Sequence, residues 1–192
     1  MQIQTIQKSH SRPTYNTVRL DRQAKCHLFI SEEASLELLE PLLRACEKHT
    51  KHSLVVADLD ISAITTDTYQ LIPRAKTSHY VTRFLAKYNN HSTVYIAGTE
   101  SFIWDIQKLV TQAGYSQQNI RLLPPISNTR RVICTHCFTI MDNINHELIH
   151  CSGCQRSLEV QDQFSELHGA YAGVQVKKKD SKPPAVIEKD LF

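Results

Sequence analysis

The chain has 192 residues with 22 Lys+Arg against 19 Asp+Glu, a formal net charge of +3 that is too mild and too evenly spread for the concentrated basic face expected of a nucleic-acid binder. Its only five glycines stand at positions 98, 114, 153, 169 and 173, so neither a GxGxxG nor a GxxxxGK[ST] phosphate loop can be written anywhere. No window approaches 18 uncharged apolar residues, and the start MQIQTIQKSHSRP lacks the apolar core of a signal peptide, so no membrane partner and a cytoplasmic location are expected.

Residues 1–24 are polar and without sustained period, and read as a flexible or loosely docked arm. KCHLFI then gives a strand, and SEEASLELLEPLLRACEKH a helix with Ser31 as cap and Glu32 and Glu33 at its positive end. SLVVADLD is a second strand, its consecutive Leu54, Val55, Val56 and Ala57 suiting a position covered on both faces. ISAITTDTYQLIPRAK carries little pattern. SHYVTRFLAKYN places Val81, Phe84, Leu85 and Tyr88 at helical spacing, STVYIAG is a third strand, TESFIWDIQKLVTQAGY a third helix, and NIRLLPP a final strand. Four strands alternating with three helices predict a parallel, three-layer α/β sheet over residues 25–126.

A break at residues 124–129 precedes two Cys-x-x-Cys pairs, Cys134/Cys137 and Cys151/Cys154. Two such turns on adjacent hairpins converge four thiolates, and a small satellite domain without metal would have too little core to hold them. The spacing reads as a zinc-ribbon or rubredoxin-like knuckle pair over residues 127–176. Zn²⁺ and a single iron suit the four sulfurs equally, but Phe138 and Gln155 stand where rubredoxin-like centres favour glycine, which points to zinc. A rival Cys₂His₂ set using His146 and His150 leaves Cys151 and Cys154 unexplained. Cys26 and Cys46 read as small buried hydrophobes. ELHGAYAGVQV, with two glycines, reads as an irregular excursion or docking segment, and the charged residues 177–192 as a mobile tail.

The unit STVYIAGTESFIWDIQKLVTQAGYSQQNIRLL resembles the last strand-helix-strand of the nicotinamide-binding domain of ferredoxin-reductase-like proteins, with Ala97 and Thr99 where that family has the cysteine and proline of Cys-Gly-Pro. Where it has a glycine-rich phosphate loop, this chain has Ser31, Glu32, Glu33 and Ala34, whose side chains and carboxylates oppose a pyrophosphate and put nicotinamide binding in doubt. The whole arrangement is similar to the DmmA-like small subunits of bacterial dimethylamine monooxygenase. The knuckles and the tail residues Phe164, Ser165, Gly169, Ala170, Tyr171, Gly173 and Val174 carry that resemblance. It implies a subunit of a system that oxidatively demethylates a secondary amine with O₂ and NADPH, beside a haem-bearing oxygenase and a flavin and iron-sulfur reductase. Accessory or electron-relay docking is the role expected, with no catalytic residue. A stand-alone NAD(P)H- or flavin-linked oxidoreductase and a zinc-ribbon interaction module are the alternatives. Arg130, Arg131 and Lys177 to Lys179 give only scattered charge for nucleic acid.

Overall fold

The apolar runs of the first half become the centre of a sheet in the computed structural model, which describes residues 12–46, 49–58, 63–88 and 91–176. The strands are β1 (Cys26–Glu32), β2 (Thr50–Ala57), β3 (Ile64–Thr65), β4 (Gln70–Pro73), β5 (Thr93–Ala97) and β6 (Ile120–Leu122), in the order β3-β4-β2-β1-β5-β6. All neighbours run parallel except β3, which lies antiparallel on β4 at the edge. The helices are α1 (Leu36–Ala45), α2 (Thr77–Leu85) and α3 (Glu100–Gln112).

Strand alternation sends successive side chains to opposite faces, so each central strand feeds two cores. Leu28, Ile30, Leu54, Val56, Val94 and Ile96 pack with Val81, Phe84 and Leu85 of α2 and with Phe102, Ile103 and Ile106 of α3. Phe29, Tyr95 and Ala97 pack on the other face with Leu39 and Leu42 of α1 and with Cys46. The result is the expected three-layer α/β arrangement.

Three local expectations are corrected. Ser31 does not cap a helix: β1 runs through it to Glu32, with Ser31 buried between Val55 and Ala97, because the central strand is hydrogen-bonded on both sides. A 3₁₀ turn over Glu33–Ser35 intervenes before α1, and the Ser35 hydroxyl is shared between the carbonyls of Glu32 (2.7 Å) and Ala97 (3.1 Å). The weakly patterned stretch holds β3, at the sheet edge, and β4 beside it, short strands in which only Ile72 and Pro73 are buried, too few to produce a readable run. ELHGAYAGVQV is not irregular, as the second sheet makes plain.

That sheet comprises β7 (Arg130–Cys134), β8 (Ile140–Ile144), β9 (Leu148–His150), β10 (Ser157–Ser165) and β11 (Ala170–Gln175), ordered β8-β7-β11-β10-β9. β11 is its middle strand, parallel to β7 and antiparallel to β10. Gly173, which reads as a breaker, is instead a point of close approach: a Cβ there would stand 2.9 Å from Val132 Cγ1 and 3.1 Å from Leu158 Cδ1.

Residues 12–24 lie along the outer edge of β6. Asn16 donates its amide to the Leu122 carbonyl (2.7 Å) and accepts the Leu122 amide on its side chain (2.9 Å). Val18 and Leu20 pack on the α1-side core, and the Asp21 amide donates to the Tyr95 hydroxyl (2.8 Å). This cover removes an open strand edge. Residues 1–11 of the arm and the tail 177–192 fall outside the described residues.

The two sheets meet through α3. Arg131 of β7 makes a bidentate pair with Asp105 of α3 (2.7 and 2.8 Å) and a third bond to Asp142 of β8 (2.7 Å). Trp104 of α3 packs on Phe164, and Phe164 on Tyr171, with ring centroids 5.0 and 4.9 Å apart. Glu100, buried at the start of α3, accepts hydrogen bonds from the hydroxyls of Tyr171 (3.1 Å) and of Tyr15 in the arm.

Candidate metal centre and the switch point

Each cysteine pair sits on a tight backbone turn. β7 ends at Cys134, the Phe138 amide returns to the Cys134 carbonyl (2.9 Å), and the Cys134 amide takes the Thr139 carbonyl (3.0 Å). The second turn, between β9 and β10, repeats the pattern with Gln155 amide to Cys151 carbonyl (2.9 Å) and Cys151 amide to Arg156 carbonyl (2.9 Å). β7 and β10 flank β11, so the sheet brings the two turns together.

The four sulfurs of Cys134, Cys137, Cys151 and Cys154 all lie within 4.8 Å of one another. Cys134 and Cys154 sulfurs are 3.8 Å apart and those of Cys137 and Cys151 3.5 Å, far beyond a disulfide bond of about 2.05 Å. A tetrahedral centre with metal–sulfur distances near 2.3 Å has sulfur–sulfur edges of about 3.8 Å. The set can therefore hold one metal ion. Cys134 and Cys151 are buried, and their partners half-buried.

Metal ligation requires ionised thiols, and two of the four are favoured for it. Burial and the sulfurs of Cys137, Cys151 and Cys134 instead push Cys154 up to about 11, as expected when closely packed thiols compete to ionise without a cation between them. Hydrogen bonds from the Thr139 hydroxyl (3.2 Å between Oγ1 and sulfur) and the Thr139 backbone bring Cys137 down to about 6. Cys151 is lowered by the Cys154 amide pointing at its sulfur (3.5 Å). Neither His146 nor His150 joins a ligand cluster among the described residues; His150 Nε2 instead lies 3.3 Å from the Ser157 hydroxyl. Cys46 is fully buried among Leu39, Leu42 and Phe29, its thiol pushed up by burial, and so behaves as an apolar group. Cys26 packs against the opposite core, away from His27.

A second arrangement involves residues that sequence reasoning treated only as obstacles. The strand order reverses between β1 and β5, and open parallel sheets bind ligands in the crevice at the carboxyl ends of such strands. Here Glu32 ends β1 with its side chain 6 % exposed, pairs with Arg74 (2.6 Å), and accepts the Thr99 amide at the start of α3. Arg74 also holds Asp58. Gly98 permits this, since a Cβ there would stand 2.5 Å from Glu32 Oε2 and 2.6 Å from Phe102 Cδ1. The chain's own carboxylate thus takes the helix-terminal amide that a phosphate would otherwise accept. Beside it opens a cavity of about 640 Å³ between the sheets, lined by Arg74, Phe102, Asp105, Arg131 and Asp142 among others.

Comparison with known proteins gives two family matches. The profile described as "Dimethylamine monooxygenase subunit DmmA-like, N-terminal domain" matches residues 7–120, and that of the corresponding C-terminal domain matches residues 131–174. The "Heme-dependent oxidative N-demethylase delta subunit" of Ectopseudomonas mendocina (strain ymp) is 34% identical over 79 residues, 41% of this chain and 45% of that protein. The match therefore spans less than half of that relative's length. Among solved structures, the ferredoxin reductase in carbazole 1,9a-dioxygenase (FAD apo form) aligns with TM-score 0.45 and 16% identity over 56% of this chain and 35% of its own. The siderophore-interacting protein SipS from Aeromonas hydrophila aligns with TM-score 0.39 and 12% identity, over 53% of this chain and 50% of its own.

Proposed function

The chain belongs to the dimethylamine monooxygenase subunit DmmA-like family, and on that premise we propose that it is an accessory subunit of a multicomponent amine monooxygenase, docking its partners through a Cys₄ zinc knuckle. The assembly would remove a methyl group from a secondary amine with O₂ and NADPH. Its haem-bearing oxygenase and its flavin and iron-sulfur reductase are the partners in this reading, in the cytoplasm, with no role for nucleic acid.

The observation that carries the proposal is the closed set of four sulfurs on a sheet clamped to α3. Four thiolates leave no open coordination position for substrate, so such sites are structural rather than catalytic. Cys134, Cys137, Cys151 and Cys154 would hold the ion, and zinc would contribute folding free energy without redox chemistry. Phe138 and Gln155 after the second cysteines favour zinc over a rubredoxin-like iron. Glu32 at the switch point argues in the same direction, because it denies a dinucleotide phosphate the amide of Thr99.

Elemental analysis and absorption spectroscopy test this. One zinc per chain with no visible absorption is expected, and a red, reducible single-iron centre would replace docking by electron relay. Cys134→Ser and Cys151→Ser should each lose the metal and weaken assembly with the other subunits; variants that keep both would remove the four-cysteine assignment. An NADPH titration should show no saturable binding, whereas a defined binding curve would favour a stand-alone oxidoreductase.

A further inference from the structure

On the α1 side of the first sheet, β1 presents Phe29 and Ser31, and β2 presents Ser53 and Val55 beside them, in the register Phe29 to Ser53 and Ser31 to Val55. α1 covers only part of this face. Its Leu39 and Leu42 meet Phe29, Tyr95 and Ala97 of β1 and β5, and no side chain of β2 or β4 joins that core among the described residues. A cavity of about 420 Å³ remains between the flank of α1 and the turn that leads into β4. Leu36, Leu39 and Leu43 wall it on one side, and Tyr69, 37% exposed, stands on the other. Phe29 is stacked on Tyr95, centroids 4.9 Å apart, which braces the floor of the slot.

The polar groups are arranged with the same economy. Ser31 lines the slot at 1% exposure, and its hydroxyl has no hydrogen-bond partner among the described residues. A hydroxyl left unpaired at such depth is destabilising, and an alanine, the residue at its register partner Ala97, would serve the strand equally well. The charged groups stay at the rim. Glu37 and Glu40 are exposed on α1, Glu40 is held by Arg44, and Lys51 donates to the Leu43 carbonyl (2.9 Å). The floor itself, made of Phe29, Ser31, Ser53 and Val55, carries no charge.

We propose that this slot is a binding site for a small, flat, uncharged and largely apolar molecule whose one carbonyl or hydroxyl group pairs with Ser31. Apolar walls with a few placed polar groups are the composition of ligand clefts, and the volume falls at the small end of their range of about 300–1,000 Å³. A charged ligand would enter without a counter-charge on the floor. A strand or helix laid across the opening would reach Ser31 only through a side chain, whereas a small molecule seats its polar group directly on the hydroxyl. The site lies on another element set from the four sulfurs, so it goes beyond the proposed function and does not depend on it.

The test titrates the full chain with coumarin, which carries a carbonyl on a flat bicyclic frame, and with naphthalene, which has the frame alone, by ligand-detected NMR. Saturable binding of coumarin is expected. Ser31→Ala should weaken it by about 3- to 10-fold, the worth of one net hydrogen bond, and leave naphthalene binding unchanged. Ser53→Phe, which fills the slot from a half-buried position, should abolish binding of both while keeping the wild-type melting temperature. The proposal fails if the wild-type chain shows no saturable coumarin binding, if binding survives Ser53→Phe, or if Ser31→Ala leaves coumarin unaffected or weakens both probes alike. A wild-type dimer in light scattering that Ser53→Phe dissociates would overturn it in favour of a second copy of the chain. Each of these results leaves the proposed function standing.

Discussion

His27 and Glu32 are buried polar side chains on the same strand that meet opposite electrostatic surroundings. Glu32 is charge-paired with Arg74 and accepts the Thr99 amide. His27 is fully buried, its Nδ1 3.3 Å from the Tyr95 hydroxyl and its Nε2 without a hydrogen-bond partner among the described residues. Burial, with the nearby His49, lowers its pKa below the ordinary histidine value of about 6.5, Asp21 opposing. The unfolded chain therefore takes up the proton first. Folded stability should be full above about pH 6.5 and fall as the pH drops below it. Urea denaturation at pH 7.5 and 5.5 should show this decline, with His52, also lowered by burial, contributing in the same direction. His27→Leu should flatten the profile; an unchanged slope would assign the decline elsewhere. At this scale the cysteines were legible because their spacing is local. Glu32 was not, since the groups that define it lie at Arg74 and Thr99, the latter 67 residues away.

Elements buried on both faces announce themselves in sequence, and elements whose burial depends on a neighbour do not. β1 and β5 send side chains into the cores on both faces of the sheet, and β2 is buried over its last four residues, so all three carry readable apolar runs. β4 is a four-residue strand next to the sheet edge, and β11 contains a glycine that lowers strand propensity. What makes β11 a middle strand is the Val132 and Leu158 packing over Gly173, contacts that appear only once three strands are assembled. Gly173→Val should therefore cost about 1–3 kcal/mol through overpacking. Because the Gly173 carbonyl also accepts the Thr135 amide within the first knuckle (3.0 Å), the variant should release metal more readily to a chelator. Unaltered chelation kinetics would show that strand and knuckle are independent.

At the level of the whole molecule, the alternation of strands and helices made the α/β sheet legible, and the cysteine spacing made the small second sheet legible, but nothing local revealed how firmly the two are joined. The side chain of Arg131 is 15% exposed while its partners Asp105 and Asp142 are about half exposed, so the clamp is worth less than a buried ion pair. Arg131→Ala should destabilise by about 2 kcal/mol and separate the unfolding of the second sheet from that of the first, seen as two transitions by circular dichroism. A single, unshifted transition would place the coupling in the aromatic contacts instead. Those contacts contain the chain's sole tryptophan, Trp104, seated 5.0 Å from Phe164 across the junction. The molecule consequently carries its one indole at the joint between its two sheets, and tryptophan emission, excited selectively away from the seven tyrosines, can follow their docking in real time without a label.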